Sequence, residues 1–203
     1  MNVAGILLAA GMGRRFDPSG ARNKLLETVY GGVPVAVASA RAMLASLDSV
    51  VAVVPSGAGP VAAALRAAGC EIVVCEDAAL GMAASLVAGV RHCRSASGWI
   101  IALADMPHVS PATIAALHRA LGAGAGIAVP VHGGRRGNPV GFAGQYLPEL
   151  LALQGDQGAR AIVRANVVTE LHLDDPGVLL DIDTPLDLHK TVTLSMGGPS
   201  ETS

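Results

Sequence analysis

Aromatic side chains are scarce in this chain of 203 residues: one Trp, two Tyr and two Phe make up 2% of it. A core without rings must be built from Ala, Val, Leu and Ile, which suit thin helices packed on a sheet, and the 51% hydrophobic content supplies them. Charge of one sign is lacking too. The net charge is −2 and the basic residues are scattered, so no broad positive face is available to displace counterions from a nucleic acid, and such a partner is excluded. Cysteine is limited to Cys70, Cys75 and Cys93, an odd number without Cys-x-x-Cys spacing. That pattern argues against a disulfide framework or a zinc site and for small buried residues in a reducing compartment. The apolar run Gly5–Ala10 is far too short to span a bilayer and has no basic segment before it. The expectation is a soluble, cytoplasmic protein with no membrane partner.

What is present is a repeating alternation. Short apolar runs at Val3–Leu8, Val50–Val54, Glu71–Val74 and Trp99–Ala104 read as buried parallel strands. Alanine-rich stretches with helical spacing separate them, at Pro34–Leu47, Pro60–Ala68, Met82–Cys93 and Pro111–Leu121. Three of the four open with proline, which is harmless in a first helical turn. Strand–helix alternation implies parallel crossovers and a sheet covered on both faces, hence an α/β protein. The second half is less regular: strands are expected at Gly126–Val131, after the loop in "GGRRGNPVGF", at Val167–Leu173 and near Leu179–Ile182. Helices are expected at Leu147–Leu153, Ala159–Ala165 and Pro185–His189. One domain over residues 1–190 followed by a disordered tail, 191–203, accounts for this pattern.

Ligands of such sheets bind beyond the carboxyl ends of the strands, which directs attention to the loops after Leu8 and Leu103. The first loop reads "LLAAGMGRRF". A dinucleotide fingerprint needs a small residue at position 16, where Phe16 stands, and a P-loop needs Gly-Lys-Ser/Thr, which is missing. A Gly-x-Gly turn, Arg15 and Lys24 remain. Glycines let backbone N–H groups approach phosphate oxygens, and the two cations supply charge; the alternative is a bare turn with solvated basic residues. The second loop, "LADMPHV", places Asp105 at the end of the most apolar strand, either as a ligand for a hard cation or as a turn or helix-capping residue. In "LLDIDTPLDL", Asp181 and Asp183 share a face if the segment is extended, and Asp183 could equally cap the helix at Thr184-Pro185. The histidines, including His108 beside Asp105, are given surface or packing roles.

Taken in order, "LLAAGMGRRF…K", "GMAASL", "LADMP", "GNPVGF", "GDQGAR" and "DIDTPLDL" resemble the molybdenum cofactor cytidylyltransferases, over nearly the whole of Leu7–Leu188. The resemblance implies a three-layer α/β/α Rossmann-like nucleotidyltransferase fold with a mostly parallel central sheet. It also implies a reaction, Mg²⁺-dependent transfer of CMP from CTP to the phosphorylated pterin of the molybdenum cofactor, with pyrophosphate released and a molybdoenzyme as eventual recipient. It assigns nucleotide binding to Ala9, Ala10, Gly11, Gly13, Arg15, Lys24, Gly81, Met82 and Ser85, metal binding to Asp105 and Asp183, and catalysis to Arg15, Lys24 and Asp105. On the acceptor side it suggests Asn138, Pro139, Asp156 and Arg160. Two departures stand out. Gly13 replaces the usual loop serine, and "FDPSGARN" lengthens the path to Lys24, so that Arg22 becomes a second candidate for its role. Rival expectations are guanylyl transfer to the pterin, transfer to a sugar phosphate or phospholactate, a glycosyltransferase using Asp181-Ile-Asp183, and a non-catalytic insertion factor that binds the nucleotide or cofactor.

Overall fold

The computed structural model describes residues 1–11, 13–29, 31–156 and 158–188. The strands are β1 (Val3–Leu8), β2 (Thr28–Val29), β3 (Val33–Pro34), β4 (Val50–Val54), β5 (Glu71–Val74), β6 (Gly98–Leu103), β7 (Ile127–His132), β8 (Arg135–Arg136), β9 (Val140–Ala143) and β10 (Thr169–His172). The α-helices are α1 (Val35–Leu44), α2 (Pro60–Ala67), α3 (Met82–His92), α4 (Pro111–Gly122), α5 (Leu147–Leu151) and α6 (Arg160–Ala165). The main sheet runs β10-β7-β9-β6-β1-β4-β5, with β8 paired to β7. β1 pairs in parallel with β4 and β6, β4 with β5, and β10 with β7, while β9 is antiparallel to both neighbours. The fold is therefore three-layered and mostly parallel, as the motif order implied.

Strand alternation builds the two cores. Val3 and Leu7 of β1, Ala52 of β4 and Ile100 of β6 pack with Ala40 and Met43 of α1, Leu65 of α2 and Leu117 of α4. Ile6, Val53 and Ile101 turn the other way, onto Leu86 and Val90 of α3, Leu150 of α5 and Ile162 of α6. Small residues set the spacing of the layers. A Cβ on Gly89 of α3 would stand 2.7 Å from Ile6 Cγ2 and 3.0 Å from Val53 Cγ2, so the helix lies against the sheet at a distance only glycine permits. Cys70 and Cys75 are buried and Cys93 is half-buried; burial pushes the Cys70 and Cys93 thiols up to about 11, which keeps them protonated.

Two sequence expectations change. Pro34 closes a β2–β3 hairpin turned through Gly31 and Gly32 at φ 69° and 98°, so the helix expected from Pro34 begins one residue later and ends at Leu44. The segment near Leu179–Ile182 is not a strand: Pro176–Leu179 forms a 3-10 turn, capped by Asp175, and the chain then runs extended with Ile182 N–H bonded to Asp105 O at 2.9 Å. Burial of Val178 and Ile182 wrote the apolar pattern without a ladder. Residues 185–188 are helical, whereas His189 and the expected tail lie outside the described residues. No helix among the described residues is long and apolar enough to cross a membrane.

Replacing Gly89 with valine is expected to lower stability by about 1–3 kcal/mol through overpacking against Ile6 and Val53. A fall in the urea midpoint at unchanged m-value checks this.

Candidate active site

The parallel register pairs Leu8 with Leu103, so the chain leaves β1 and β6 side by side at the same sheet edge. Ala9 is buried and donates its N–H to Val53 O at 2.9 Å, so it supports the loop while Ala10 and Gly11 line a cavity beyond it. Across from them, Asp105 stands two residues past β6. Helix α4 is capped by Ser110, whose Oγ accepts from Ala112 N–H, which removes the capping alternative for Asp105. The capping alternative for Asp183 fails similarly, because Asp187 Oδ2 accepts from the N–H of Asp183 and the N–H and hydroxyl of Thr184. The Ile182–Asp105 backbone bond then leaves the Asp183 carboxylate facing the loop residues. Asp181 is exposed; partial burial and the neighbouring charge of Asp183 hold its carboxyl above the ordinary range.

Lys24 joins the two acids. Its ammonium lies 2.6 Å from Asp105 Oδ2 and 3.0 Å from Asp183 Oδ1, and Arg15 Nη1 lies 2.7 Å from Asp183 Oδ2. Lys24 is only 7% exposed, which is rare for lysine without such partners. Burial works against the charge, but the two carboxylates outweigh it and hold the ammonium above the ordinary lysine value. Asp105 Oδ1 is buried and has no hydrogen-bond partner. A desolvated carboxylate oxygen without a donor is costly, and hard oxygen ligands of this kind suit a divalent cation such as Mg²⁺ or Mn²⁺. Among the described residues there is no cluster of three or more His, Cys, Asp or Glu, so an ion held here would take its remaining ligands from substrate or water.

The long path from Arg15 to Lys24 is folded on itself. Phe16 is buried, and Asp17 accepts from Ser19 N–H, Ser19 Oγ and Arg22 N–H, so its carboxyl is held low by those bonds. Arg22 makes a two-pronged pair with Glu27 at 2.9 and 2.8 Å and lies over the Phe16 ring. Asn23 then caps a short 3-10 turn, Lys24–Leu26, anchored by buried Leu25. Arg22 is thus committed to the loop, and Lys24 is the cation delivered to the acids.

Two cavities flank the cluster. The first, of about 450 Å³, is lined by Ala10, Gly11, Arg14, Lys24, Gly81, Met82, Ser85, Asp105 and Asp156. The second, of about 390 Å³, has a floor of Ile101, Val129, Val140, Phe142 and Val163 with Asn138, Arg136, Arg160 and Arg164 around it. They share Leu8, Met82 and Leu103. Of the acceptor-side expectations, Asn138 and Arg160 lie at the second cavity. Asp156 lies on the wall of the first instead, because the 155–156 turn packs on Gly81 and Gly155 O accepts from Ala83 N–H at 3.0 Å. Pro139 lines only a small inner void beside Ser39 and Met106. Sequence reasoning passed over Arg14, Arg136 and Arg164, which line the two cavities; nothing in their sequence neighbourhoods tells a cavity wall from a solvated surface.

The MobA-like NTP transferase domain matches residues 5–171. The chain belongs to that family. It is a nucleotidyltransferase. Among its relatives, the purine catabolism protein PucB of Bacillus subtilis (strain 168) is 31% identical over 195 residues, spanning 90% of this chain and 92% of PucB. The crystal structure of Rv0371c from Mycobacterium tuberculosis H37Rv superposes with a TM-score of 0.78 at 28% identity, over 95% of this chain and 98% of that one. A manganese complex of the same mycobacterial protein superposes with a TM-score of 0.73, also at 28% identity, over 95% and 99% of the two chains.

Gly81 holds φ 127°, and a Cβ there would meet Gly155 O at 2.7 Å and the Asp156 carboxylate. Gly81→Ala is therefore expected to cost about 1–3 kcal/mol and to loosen the 155–156 turn. Thermal melting together with limited proteolysis of that turn measures it.

Proposed function

We propose that this nucleotidyltransferase passes CMP from CTP to the phosphorylated pterin of the molybdenum cofactor, with Mg²⁺ held by Asp105 and Asp183 and pyrophosphate released. The observation that carries the reading is the meeting of two unlike cavities at Leu8, Met82 and Leu103, beside the Lys24–Asp105–Asp183 cluster. A group transfer between two bound substrates needs such an arrangement. The first cavity, with the glycine loop, Arg14 and Lys24, offers donors to a triphosphate; its Asp156 and Ser85 offer polar partners to the nucleoside. The second offers an apolar floor for a flat ring and arginines for an anionic group. A sugar phosphate would present hydroxyls to that floor, which favours the pterin among the acceptors. The glycosyltransferase reading loses support because Asp181 lies outside the cluster that Asp183 joins.

An oxygen of the acceptor phosphate attacks the α-phosphorus, and the bond to pyrophosphate breaks on the opposite side. The acceptor is already ionised, so no general base is required. Gly11 N–H, Arg14 and Lys24 neutralise the charge that grows on pyrophosphate, and Arg160 and Arg164 orient the acceptor phosphate. Mg²⁺, when bound, supplies positive charge at the reacting phosphates. That the mycobacterial relative was solved as a manganese complex supports the use of a divalent ion. Delivery of the product to a molybdoenzyme in the cytoplasm belongs to the same proposal.

Pyrophosphate release measured with each of the four triphosphates, with and without molybdenum cofactor, is expected to be high only with CTP and acceptor together. Release that is independent of the acceptor, or fastest with GTP, contradicts the substrate assignment. Asp105→Asn is expected to remove turnover while leaving the thermal transition in place, and Lys24→Ala to lower kcat/KM by about 10²–10³-fold. Arg22→Ala, which breaks the exposed pair with Glu27 and the contact with the Phe16 ring but keeps the backbone bond from Arg22 N–H to Asp17, is expected to change kcat/KM by about threefold or less. Equal losses in the two variants would contradict the assignment of Lys24.

A further inference from the structure

We propose that Lys24 is a built-in stand-in for the divalent cation: without metal its ammonium bridges Asp105 and Asp183, and it leaves that place for the triphosphate when the cation is taken up. The proposal rests on the reading above that these two aspartates are the cation's ligands.

Asp105 and Asp183 come from loops far apart in sequence and would repel each other in a partly desolvated cleft. A single ammonium, 2.6 Å from one and 3.0 Å from the other, neutralises both and keeps them together. A divalent ion bound by the same two carboxylates would need the same space. Lys24 uses Oδ2 of Asp105, and the buried Oδ1 stays unpartnered, so a ligand atom stands ready that lysine does not use.

The surroundings let the side chain move while its backbone stays. Leu25 is buried, and Asn23 caps the turn, so the main chain at 24 is fixed. The aliphatic stem lies beside Gly13, where an added Cβ would come within 3.7 Å of Lys24 Cγ; the bare glycine leaves the loop side of the stem open. The same lysine lines the first cavity with Gly11 and Arg14, so a rotation about its own bonds carries the ammonium from the acids toward a triphosphate. Metal binding alone then breaks two ion pairs, whereas metal with triphosphate gives the displaced ammonium new partners. Cation and nucleotide are thereby coupled, each raising the affinity for the other.

Titration of the full chain with Mn²⁺ alone, read by the electron paramagnetic resonance signal of free Mn²⁺, tests this. Lys24→Met, which keeps the unbranched stem, is expected to bind Mn²⁺ roughly tenfold or more tightly than wild type in the absence of nucleotide. Equal or weaker binding overturns the proposal. Asp105→Asn separates it from the reading on which it rests. If that variant loses Mn²⁺ binding while Lys24→Met fails to tighten it, only the stand-in falls; if Asp105→Asn binds as wild type does, the ligand assignment falls as well. Wild-type protein gives a second readout that requires no folded variant. Lys24 and Lys190 are the lysines of the chain, so acetylation by acetic anhydride can be followed peptide by peptide. Lys24 is expected to be protected without metal and to become reactive with saturating Mn²⁺, relative to Lys190. Unchanged protection overturns the proposal.

Discussion

One ammonium between two carboxylates organises this site: Lys24 reaches Asp105 and Asp183, its partners 81 and 159 positions further along the chain. Each of the three arrives by a different structural route. Asp105 is carried by the apolar strand β6, Lys24 by a folded loop pinned through Phe16, Asp17 and Arg22, and Asp183 by an extended segment tied to Asp105 through Ile182. Buried charge of this kind is tolerated only when paired, so the pairing constrains all three routes at once.

The sheet order explains why two cavities meet at that cluster. Parallel neighbours β1 and β6 end together and expose Leu8 and Leu103. Strand β9 enters antiparallel beyond β6, so its start, with Asn138 and Val140, falls at the same edge. Helix α3 closes the other side of the first cavity with Gly81, Met82 and Ser85, and Met82 lies between the cavities. Asp175 supports this edge from behind, accepting from Ser110 N–H, Thr113 Oγ1 and Gly177 N–H and so joining the last described segment to α4.

Much of this was legible in the sequence, for physical reasons that differ by element. β1, β4 and β5 were readable to the residue because a strand in a parallel sheet is written as an uninterrupted apolar run. The β2–β3 hairpin was not, since two-residue strands around Gly31-Gly32 have no periodicity to detect. The extended chain at 180–182 was mistaken for a strand because burial of Ile182, not ladder bonding, shaped its pattern. Asp105, Asp183, Arg15 and Lys24 were brought together as the motif order implied. That Lys24 would bridge the acids was not readable, because the bridge depends on how "FDPSGARN" folds back through Asp17 and Arg22. Asp156, expected on the acceptor side, lines the first cavity, because which wall a turn lines depends on where it packs, here on the bare Gly81.

On the proposed mechanism, Asp105 and Asp183 are cation ligands held in waiting by Lys24. Anomalous diffraction at the manganese edge, from crystals grown with Mn²⁺ and a non-hydrolysable CTP analogue, tests it most directly. One peak is expected about 2.0–2.3 Å from carboxylate oxygens of Asp105 and Asp183, with the Lys24 ammonium moved onto the phosphates. A peak elsewhere, or Lys24 still bridging both aspartates beside a bound ion, would contradict it.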